Sequence, residues 1–368
     1  PGAMSPTAAP EDFSTESAPA ASASATPNPL DGWTLEQKVG QLLMVGADTS
    51  GPQMVSIDAV ATHHVGNVFI ARQTRSGADS VRGVITALTD LVGSETTHDT
   101  PLLVATDQEG GQVQVLGGSG FSDIPSASEQ AIMSTDDLTA SARTWGQELA
   151  DVGVTMNLAP VADLVDIPDP SSNAPIGRWG REYGQSATTS QDRAIAFARG
   201  MEAAGVIPTY KHFPGLGRVT ANTDTADGVT DSITTRSGDP AVSVFAEAIT
   251  GGARVIMVSS AIYSAIDSSA PATFSSVVVT DMLRGDLGFT GVVITDDVSA
   301  AVQVDAWTPA ERAVQAVKAG CDIVLASADA TMAADMAEAL IAEAQADPAF
   351  AQRVDESATR VISLKAGS

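Results

Sequence analysis

Eight short apolar runs recur along the chain from Leu30 onward, each about as long as a β-strand. Most are almost continuously hydrophobic rather than alternating, which is typical of parallel strands that are buried on both faces. The runs are KVGQLLMVG, VGNVFIA, PLLVATD, VTMNLAPVAD, VIPTYKHF, ARVIMVSS, GVVITDD and CDIVLAS. This repetition constrains the fold more than any other feature, because it requires a parallel sheet with a crossover element after each strand.

The segments between the runs have helical spacing and recognisable helix ends. Thr308-Pro309-Ala310-Glu311 combines a capping box with proline at the first helical position, and Gly320 lies where that helix should stop. Asp239-Pro240 begins another helix in the same way, and Thr34 with Gln37 forms a further capping box. The sequence therefore alternates strands with capped helices.

Eight strand–helix units predict a single (β/α)8 barrel of the TIM type over residues 30–368. The rival architecture, an open doubly wound sheet, is disfavoured because no Gly-x-Gly-x-x-Gly turn follows the first strand. Polar residues also cluster just after the predicted strands, at Asp107-Gln108-Glu109, Asp163, Lys211-His212, Ser259-Ser260 and Asp296-Asp297. Since the carboxyl ends of barrel strands form the active-site face, these groups are expected to converge there.

Residues 1–29 differ from the rest, because they consist mostly of Ala, Pro, Ser and Thr. A segment of this composition cannot bury enough apolar surface to offset its ordering entropy, so we predict a disordered leader. Its first four residues, Pro1 to Met4, resemble a cloning remnant. Such a tether is typical of exported proteins and lipoproteins, so we expect a cell-envelope or extracellular location and a lipid anchor lost from this sequence. A chain end without meaning for export is the alternative.

Composition excludes several classes of function. The chain has 19 Lys and Arg against 45 Asp and Glu, a net charge of −26, and such a body repels nucleic-acid backbones. No apolar run approaches 18 residues, so no membrane span is expected. Cys321 is the single cysteine and the four histidines lack metal-ligand spacing, so we expect neither a disulfide nor a metal site.

The chemistry that remains rests on carboxylates. Asp296 follows Gly-Val-Val-Ile-Thr at the end of the seventh strand, which places it at the barrel mouth. There a carboxylate can attack an anomeric carbon and form a covalent glycosyl-enzyme, with a second acid protonating the leaving oxygen. A helix-capping role is the alternative for Asp296, although the next residue, Asp297, is the more natural cap. Lys211-His212 could hold sugar hydroxyls by charged hydrogen bonds.

Six stretches in order resemble glycoside hydrolase family 3, and within it the bacterial exo-β-N-acetylglucosaminidases of the actinobacterial lipoprotein form. They are LEQKVGQLLMVG, ATDQEGGQVQ, NLAPVADL, KHFPGLG, GVVITDDVS and AGCDIVLA. The resemblance extends from about residue 33 to the C-terminus. It implies a single barrel, no cofactor, and a retaining mechanism that removes terminal GlcNAc, often from peptidoglycan fragments.

The resemblance also assigns site residues. Asp296 falls on the position of the nucleophile, and Asp107 falls on a ligand of the sugar hydroxyls. Lys211 and His212 fall on substrate-binding positions. Arg181, within GRWGREYG, resembles the arginine that clamps the sugar, although Arg178 to Arg181 is closer to the form in the family's β-glucosidases.

This sequence departs from the family pattern at the acid/base. The related enzymes carry an Asp-Ser-His triplet after KHFPGHG, whereas here the triplet position reads Asn222-Thr223-Asp224. The expected histidine is absent, so we predict that Asp224 is the acid/base, with Asp227 and Asp231 as fallback donors. The alternative is that Asn222 and Asp224 only form a turn.

A second departure follows DQEGG, where the family has Arg-Val-x-Arg. Here Gln112 and Gln114 replace the two arginines, which leaves the exact substrate open. We expect a monomeric exo-acting β-N-acetylglucosaminidase on peptidoglycan or chitin-derived fragments, with a small GlcNAc-containing glycoside as its partner. The alternatives are a β-glucosidase or phosphorolytic β-glycosidase on the same scaffold, or a catalytically impaired sugar-binding lipoprotein.

Overall fold

The parallel strands close into a barrel in the structure, a computed structural model that describes Gly2 and residues 28–367. The barrel strands are β1 (Leu43–Asp48), β2 (Asn67–Ala71), β3 (Leu103–Thr106), β4 (Met156–Asn157), β5 (Ile207–Pro208 and Tyr210–Phe213), β6 (Val255–Val258), β7 (Val292–Asp297) and β8 (Ile323–Ala326). The two segments of β5 pair with β4 on one side and β6 on the other, while β8 pairs with β1. The sheet is therefore closed, and the predicted (β/α)8 barrel is confirmed.

Helices connect successive strands around the outside of the sheet. They are α1 (Leu35–Gln41), α2 (Met54–Ala61), α3 (Ala78–Thr89), α4 (Ser94–Thr97), α5 (Ala127–Gln130), α6 (Thr135–Asp151), α7 (Ala187–Ala203), α8 (Pro240–Thr250), α9 (Val277–Asp286, of π type), α10 (Pro309–Ala319), α11 (Ala333–Ala346) and α12 (Pro348–Ala366). The three predicted helix starts are present, since Thr34, Asp239 and Thr308 each cap the first turn with their side chains.

The first predicted strand begins later than its apolar run. The capping box at Thr34 starts α1, which continues to Gln41, so the first residues of KVGQLLMVG are helical. Only Leu43–Asp48 form β1. Periodicity alone could not separate these two elements, because both are buried and apolar along their length.

Two apolar layers hold the barrel together. Side chains that alternate along the strands, such as Met44 and Met257, fill the barrel interior. Their neighbours in sequence, such as Val45 and Val258, face the surrounding helices. This alternation follows from the two-residue period of a strand, and it leaves the polar residues after each strand at the carboxyl-end rim.

Most of the predicted leader lies outside the described residues, which include only Gly2, Asn28 and Pro29 of that segment. Leu30 is buried against the core. Among the residues that the structure describes, no helix combines the length and the apolar character needed to cross a bilayer.

Candidate active site

A cavity of about 410 Å³ opens at the carboxyl-end rim of the barrel. Its lining includes all six residues predicted to act in the site: Asp107, Arg181, Lys211, His212, Asp224 and Asp296. They come from β5 and β7, from the residue that follows β3 and from the loops after β4 and β5, which explains why residues up to 189 positions apart in sequence meet in one pocket. The expected convergence at the mouth of the barrel is thus present in the structure.

Asp296 lies near the end of β7 with 22% of its side chain exposed to the cavity. One carboxylate oxygen, Oδ1, accepts a hydrogen bond from the backbone N–H of Asp297 at 2.8 Å, and Oδ2 lies 4.0 Å from Nε2 of His212. Burial raises the pKa of Asp296, although His212, the Asp297 N–H and Lys211 act in the opposite direction. The carboxylate is therefore held in place while keeping an oxygen available at the cavity.

Asp297 organises the loops around the nucleophile candidate. Its Oδ1 accepts from the N–H and hydroxyl of Ser327, at 2.8 and 3.0 Å, and its Oδ2 accepts from the N–H of Ala300 at 2.9 Å. It does not cap a helix, because α10 begins only at Pro309. The expected capping role of Asp297 is therefore absent, and its oxygens instead bind two loops.

Two cations and two carboxylates form a wall network, of which Asp107, Lys211 and Arg181 line the cavity. Lys211 Nζ contacts Asp107 Oδ1 at 2.8 Å and Glu109 Oε1 at 2.6 Å. Arg181 binds Glu109 through two hydrogen bonds, Nε to Oε2 at 2.9 Å and Nη2 to Oε1 at 2.7 Å. Glu109 thus fixes both cations at once, with the two-pronged geometry that makes arginine–carboxylate pairs strong.

Glu109 was not among the predicted site residues. Burial would by itself raise the pKa of Glu109, but the charges of Arg181 and Lys211 hold it at about 2. The carboxylate therefore stays ionised and keeps the two cations paired. Its signal in the sequence was its place in the strand-end cluster two residues after Asp107.

His212 is oriented by a second residue that the sequence did not assign to the site. Asp163 is fully buried, and its Oδ2 lies 2.6 Å from Nδ1 of His212. The other oxygen of Asp163 accepts from the backbone N–H groups of His212 and Leu216, at 2.9 and 2.8 Å. Because Nδ1 faces a carboxylate, we assign its proton there, which leaves Nε2 facing Asp296 and the cavity.

Asp224 enters the cavity from a loop that follows β5. Backbone hydrogen bonds to Thr223 and Asp224 from Gln303 and Val302, at 3.0 and 3.3 Å, fasten this loop beside the β7 segment. Although the residue is exposed at the rim, burial of its carboxyl and the nearby charges of Asp296 and Asp297 raise the pKa of Asp224 to about 6. A group with this pKa holds a proton in mildly acidic solution.

The two fallback donors lie elsewhere. Asp231 is buried and accepts hydrogen bonds from the N–H groups of Ile233 and Thr234 and from the Thr234 hydroxyl, so it stabilises a turn. Asp227 is exposed and does not line the cavity. The alternative of a simple turn is partly present as well, because Asn222 Oδ1 accepts from the Asp224 N–H at 2.9 Å. That bond leaves the Asp224 carboxyl free.

Neither glutamine after DQEGG lines this cavity. The amide group of Gln114 bonds to the carbonyls of Leu116 and Ser122 and to the N–H of Ile124, so it holds its own loop together. Cys321 is buried, and burial raises the pKa of its thiol to about 12, so it is not a nucleophile. Over residues 28–367, no three His, Cys, Asp or Glu side chains are grouped so that they could hold a metal ion.

A closed barrel with several carboxylates, a lysine and a histidine at its mouth has the groups that cleavage of a glycoside requires. The family model described as Glycosyl hydrolase family 3 N terminal domain matches residues 34–364. The chain therefore belongs to glycosyl hydrolase family 3 and is a glycoside hydrolase, as its motifs indicated.

Known relatives extend this result. The crystal structure of a β-N-acetylhexosaminidase from Beutenbergia cavernae is 54% identical, with a TM-score of 0.89 over 90% of this chain and 98% of that one. A family 3 β-N-acetylglucosaminidase from Paenibacillus is 30% identical, with a TM-score of 0.81 over 90% of this chain and 62% of that one. The β-hexosaminidase LpqI of Mycobacterium tuberculosis is 31% identical over 78% of this chain and 72% of its own.

Proposed function

We propose that this protein is a retaining exo-β-N-acetylglucosaminidase that removes terminal β-GlcNAc from peptidoglycan or chitin-derived fragments. The observation that carries the proposal is the position of Asp296, which presents a carboxylate to a cavity that Asp107, Lys211 and Arg181 also line. The names of the relatives support the choice of a β-linked N-acetylhexosamine. A cavity of about 410 Å³ lies at the small end of ligand sites, which favours a single terminal sugar.

The wall network binds the hydroxyls of the terminal sugar. Lys211 uses two of its three N–H donors on Asp107 and Glu109, so one remains for a hydroxyl. Asp107 uses only Oδ1 on Lys211, so Oδ2 accepts a hydroxyl proton. His212 contributes Nε2 on the side of the nucleophile, and Arg181 clamps the sugar while paired to Glu109. The four residues thereby orient the anomeric carbon toward Asp296.

The reaction then proceeds in two displacements. Asp296 attacks the anomeric carbon while Asp224 gives its proton to the leaving oxygen, so a glycosyl ester forms on Asp296 and the aglycone departs. Asp224, now ionised, removes a proton from water, and that water attacks the same carbon and releases GlcNAc with retained configuration. A pKa of about 6 suits Asp224 to both roles, since it can hold and accept a proton near neutral pH.

The alternatives make different demands on this site. A sugar-binding protein without catalysis has no use for Asp296 held beside His212 and Asp163. A β-glucosidase would require no recognition of the acetamido group, and a phosphorylase would require phosphate in place of water. We retain both as outcomes of the experiment below.

We also propose a single barrel domain over residues 30–368, a monomeric state, and export to the cell envelope. The Ala/Pro/Ser/Thr composition of residues 1–29 supports export, because it resembles the tethers of exported proteins. Size-exclusion chromatography with light scattering checks the oligomeric state. Fractionation of cells that express the natural gene checks the location.

The test of the function compares chromogenic β-GlcNAc with the matching β-glucoside, each with and without phosphate. We expect turnover of β-GlcNAc alone, without acceleration by phosphate. Incubation with a fluorinated mechanism-based sugar followed by peptide mass spectrometry should place the label on Asp296. Labelling of another residue, preference for the glucoside, or dependence on phosphate would each contradict the proposal.

A further inference from the structure

The segment that carries Asp224 runs from the end of β5 to a two-residue strand, Thr230–Asp231. We call residues 214–229 the Asp224 loop. The carboxyl of Asp224 belongs to its middle part, residues 220–228, whereas the two ends of the loop are attached to other elements of the barrel rim. The position of the proposed acid therefore depends on the contacts that hold this middle part.

The beginning of the Asp224 loop is attached to the loop that follows β4. The N–H of Leu216 donates to the buried carboxylate of Asp163 at 2.8 Å. The side-chain amide of Asn173, which is also buried, donates to the carbonyls of Leu216 and Val219, at 2.9 and 2.7 Å. These bonds fix the loop as far as Val219.

The end of the Asp224 loop is attached to a different part of the chain. The strand Thr230–Asp231 pairs with Ile262–Tyr263, which follows β6. Across residues 28–367, the hydrogen bonds that tie residues 220–228 to another rim loop all come from the segment after β7. The middle of the loop is thus held from the side of the proposed nucleophile.

Gln303 supplies most of these bonds. It lies on a 3₁₀ turn, Val302–Val304, seven residues after Asp296 in the sequence. Its backbone N–H donates to the carbonyl of Thr223 at 3.0 Å. Its side-chain Oε1 accepts from the N–H of Val229 at 2.9 Å, and its Nε2 donates to the carbonyl of Val229 at 3.0 Å. The side-chain amide therefore pairs with the backbone of one residue on both of its polar groups.

The bonds of Gln303 lie on both sides of the proposed acid in the sequence, because Thr223 precedes Asp224 and Val229 follows it. The N–H of Val302 adds a bond to the carbonyl of Asp224 itself, at 3.3 Å. Gln303 is only 5% exposed, so water competes little for its amide. Buried polar groups are costly to leave unpaired, and these bonds therefore hold the loop in one position.

The turn that carries Gln303 is itself fixed relative to β7. Arg312 is buried on α10, and its guanidinium donates to the carbonyls of Val298 and Trp307, at 2.7 and 2.8 Å. These two residues lie on either side of the turn in the sequence, and Val298 is the second residue after Asp296. Arg312 thus fixes the turn to the end of the nucleophile strand without a contribution from the Asp224 loop.

We propose that Gln303 is a positioning residue that sets the separation between the carboxyl of Asp224 and the carboxylate of Asp296. A retaining hydrolase needs its proton donor about 5–5.5 Å from the nucleophile when both are carboxyl groups. Here the two groups lie on different elements, and Gln303 joins these elements, because its turn follows β7 and its amide holds the Asp224 loop. This inference rests on the proposed function, since it requires Asp224 to be the acid.

The test replaces Gln303 with methionine, which has a similar length but cannot pair with Val229. The measured quantity is kcat/KM for chitobiose, whose leaving group is poor, divided by kcat/KM for 2,4-dinitrophenyl β-GlcNAc, whose leaving group is activated. In Gln303→Met this ratio should fall about 10- to 100-fold, because only chitobiose needs a well-placed proton from Asp224. A smaller folded fraction would lower both values together and leave the ratio unchanged.

A double variant tests whether Gln303 acts through Asp224. If it does, the variant that combines Asp224→Ala with Gln303→Met should have the same ratio as Asp224→Ala alone, because no acid remains to be positioned. Gln303→Asn is a milder second substitution, since it keeps an amide but is one carbon too short to pair with Val229, and it should also lower the ratio.

Gln114→Met is the matched control. The amide of Gln114 also makes three hydrogen bonds within one loop, but that residue does not line the active-site cavity. The ratio should remain that of the wild type. Hydrogen exchange of the unmodified enzyme needs no variant, and the Val229 N–H should exchange slowly because it is bonded to Gln303.

The outcomes separate this inference from the function on which it rests. A wild-type ratio in the Gln303 variants, a further fall in the double variant, an equal fall in Gln114→Met, or rapid exchange at Val229 would each overturn the inference alone. If Asp224→Ala itself left the ratio unchanged, the assignment of the acid would fail together with the inference. Failure to cleave any β-GlcNAc glycoside would overturn the proposed function as well.

Discussion

The two carboxylates that we propose as catalytic lie in contrasting surroundings. Asp296 belongs to a barrel strand and faces a wall in which Lys211, Glu109 and Arg181 are almost fully paired and buried. Asp224 belongs to a loop at the rim, which backbone hydrogen bonds and the side chain of Gln303 link to the segment that follows β7. Strand ends therefore supply the fixed part of this site, and the proton donor that we propose lies on a loop.

This difference indicates which part of the site can vary. A residue on a buried strand end is held by neighbours on several other strands, so its replacement disturbs the whole wall. A loop residue that only presents one side chain can change from histidine to aspartate without disturbing the barrel. The triplet in which this chain departs from the family pattern, Asn222-Thr223-Asp224, lies in that loop.

The largest expected effect tests Asp296, the carboxylate on the barrel strand. Asp296→Asn removes the attacking oxygen but keeps the side-chain size, so kcat should fall by several orders of magnitude while GlcNAc still binds. Steady-state rates and calorimetric titration with GlcNAc measure the two properties separately. If the variant kept a tenth of the activity, Asp296 would not be the nucleophile, and the contrast between the two carboxylates would lose its basis.

The next largest effect tests Asp224, the carboxylate on the loop. Asp224→Ala should slow substrates with poor leaving groups by about 10² to 10⁴-fold, the usual contribution of a general acid. Activated aryl glycosides barely need protonation, so their first step should be affected far less. Azide should restore part of the turnover, because it attacks the glycosyl-enzyme without the general base that water needs. A glycosyl azide with retained configuration should then appear by NMR.

Asp227→Asn serves as the control for this loop, since Asp227 is exposed and outside the cavity.

The pH dependence of the wild-type enzyme gives a second check on Asp224. Because Asp224 must hold a proton and its pKa is about 6, kcat for a poor leaving group should decline as pH rises through about 6. Equal losses on both substrate types in Asp224→Ala, or a decline that persists unchanged in that variant, would exclude Asp224 as the acid.

A smaller effect measures how far the wall depends on its buried carboxylate. Glu109→Gln leaves Arg181 and Lys211 without their shared charge, and loss of one partner from a buried pair typically costs about 3–5 kcal/mol of unfolding free energy. KM should rise because both cations lose their fixed positions. Glu129→Gln, at an exposed capping box, is the matched control and should have a smaller effect in urea denaturation.

The sequence predicted the fold and the residues that line the cavity better than it predicted the residues that hold those side chains in place. Eight apolar runs were sufficient for the barrel, and residues at strand ends converge because of the topology itself. Glu109 and Asp163 belonged to the strand-end clusters, but they received no role because each acts on a partner 72 or 49 residues away, which no local pattern reports.

The smallest expected effect concerns stability and also distinguishes the two regions. The pKa of Asp224 is raised from 3.8 to about 6 in the folded protein, so the folded state binds this proton more tightly than the unfolded state does. Below about pH 4 Asp224 is protonated in both states, so its ionisation does not change the free energy of unfolding there. As pH rises through 6, the folded state is progressively penalised, because only then must the partly buried carboxyl ionise beside Asp296.

Asp224→Asn should therefore raise the melting temperature slightly at pH 8 and leave it unchanged at pH 4. The gain should be modest because solvent at the rim screens these charges. Calorimetric melts of the wild type, Asp224→Asn and Asp227→Asn across this range provide the measurement, and a gain of equal size at both pH values would contradict the raised pKa.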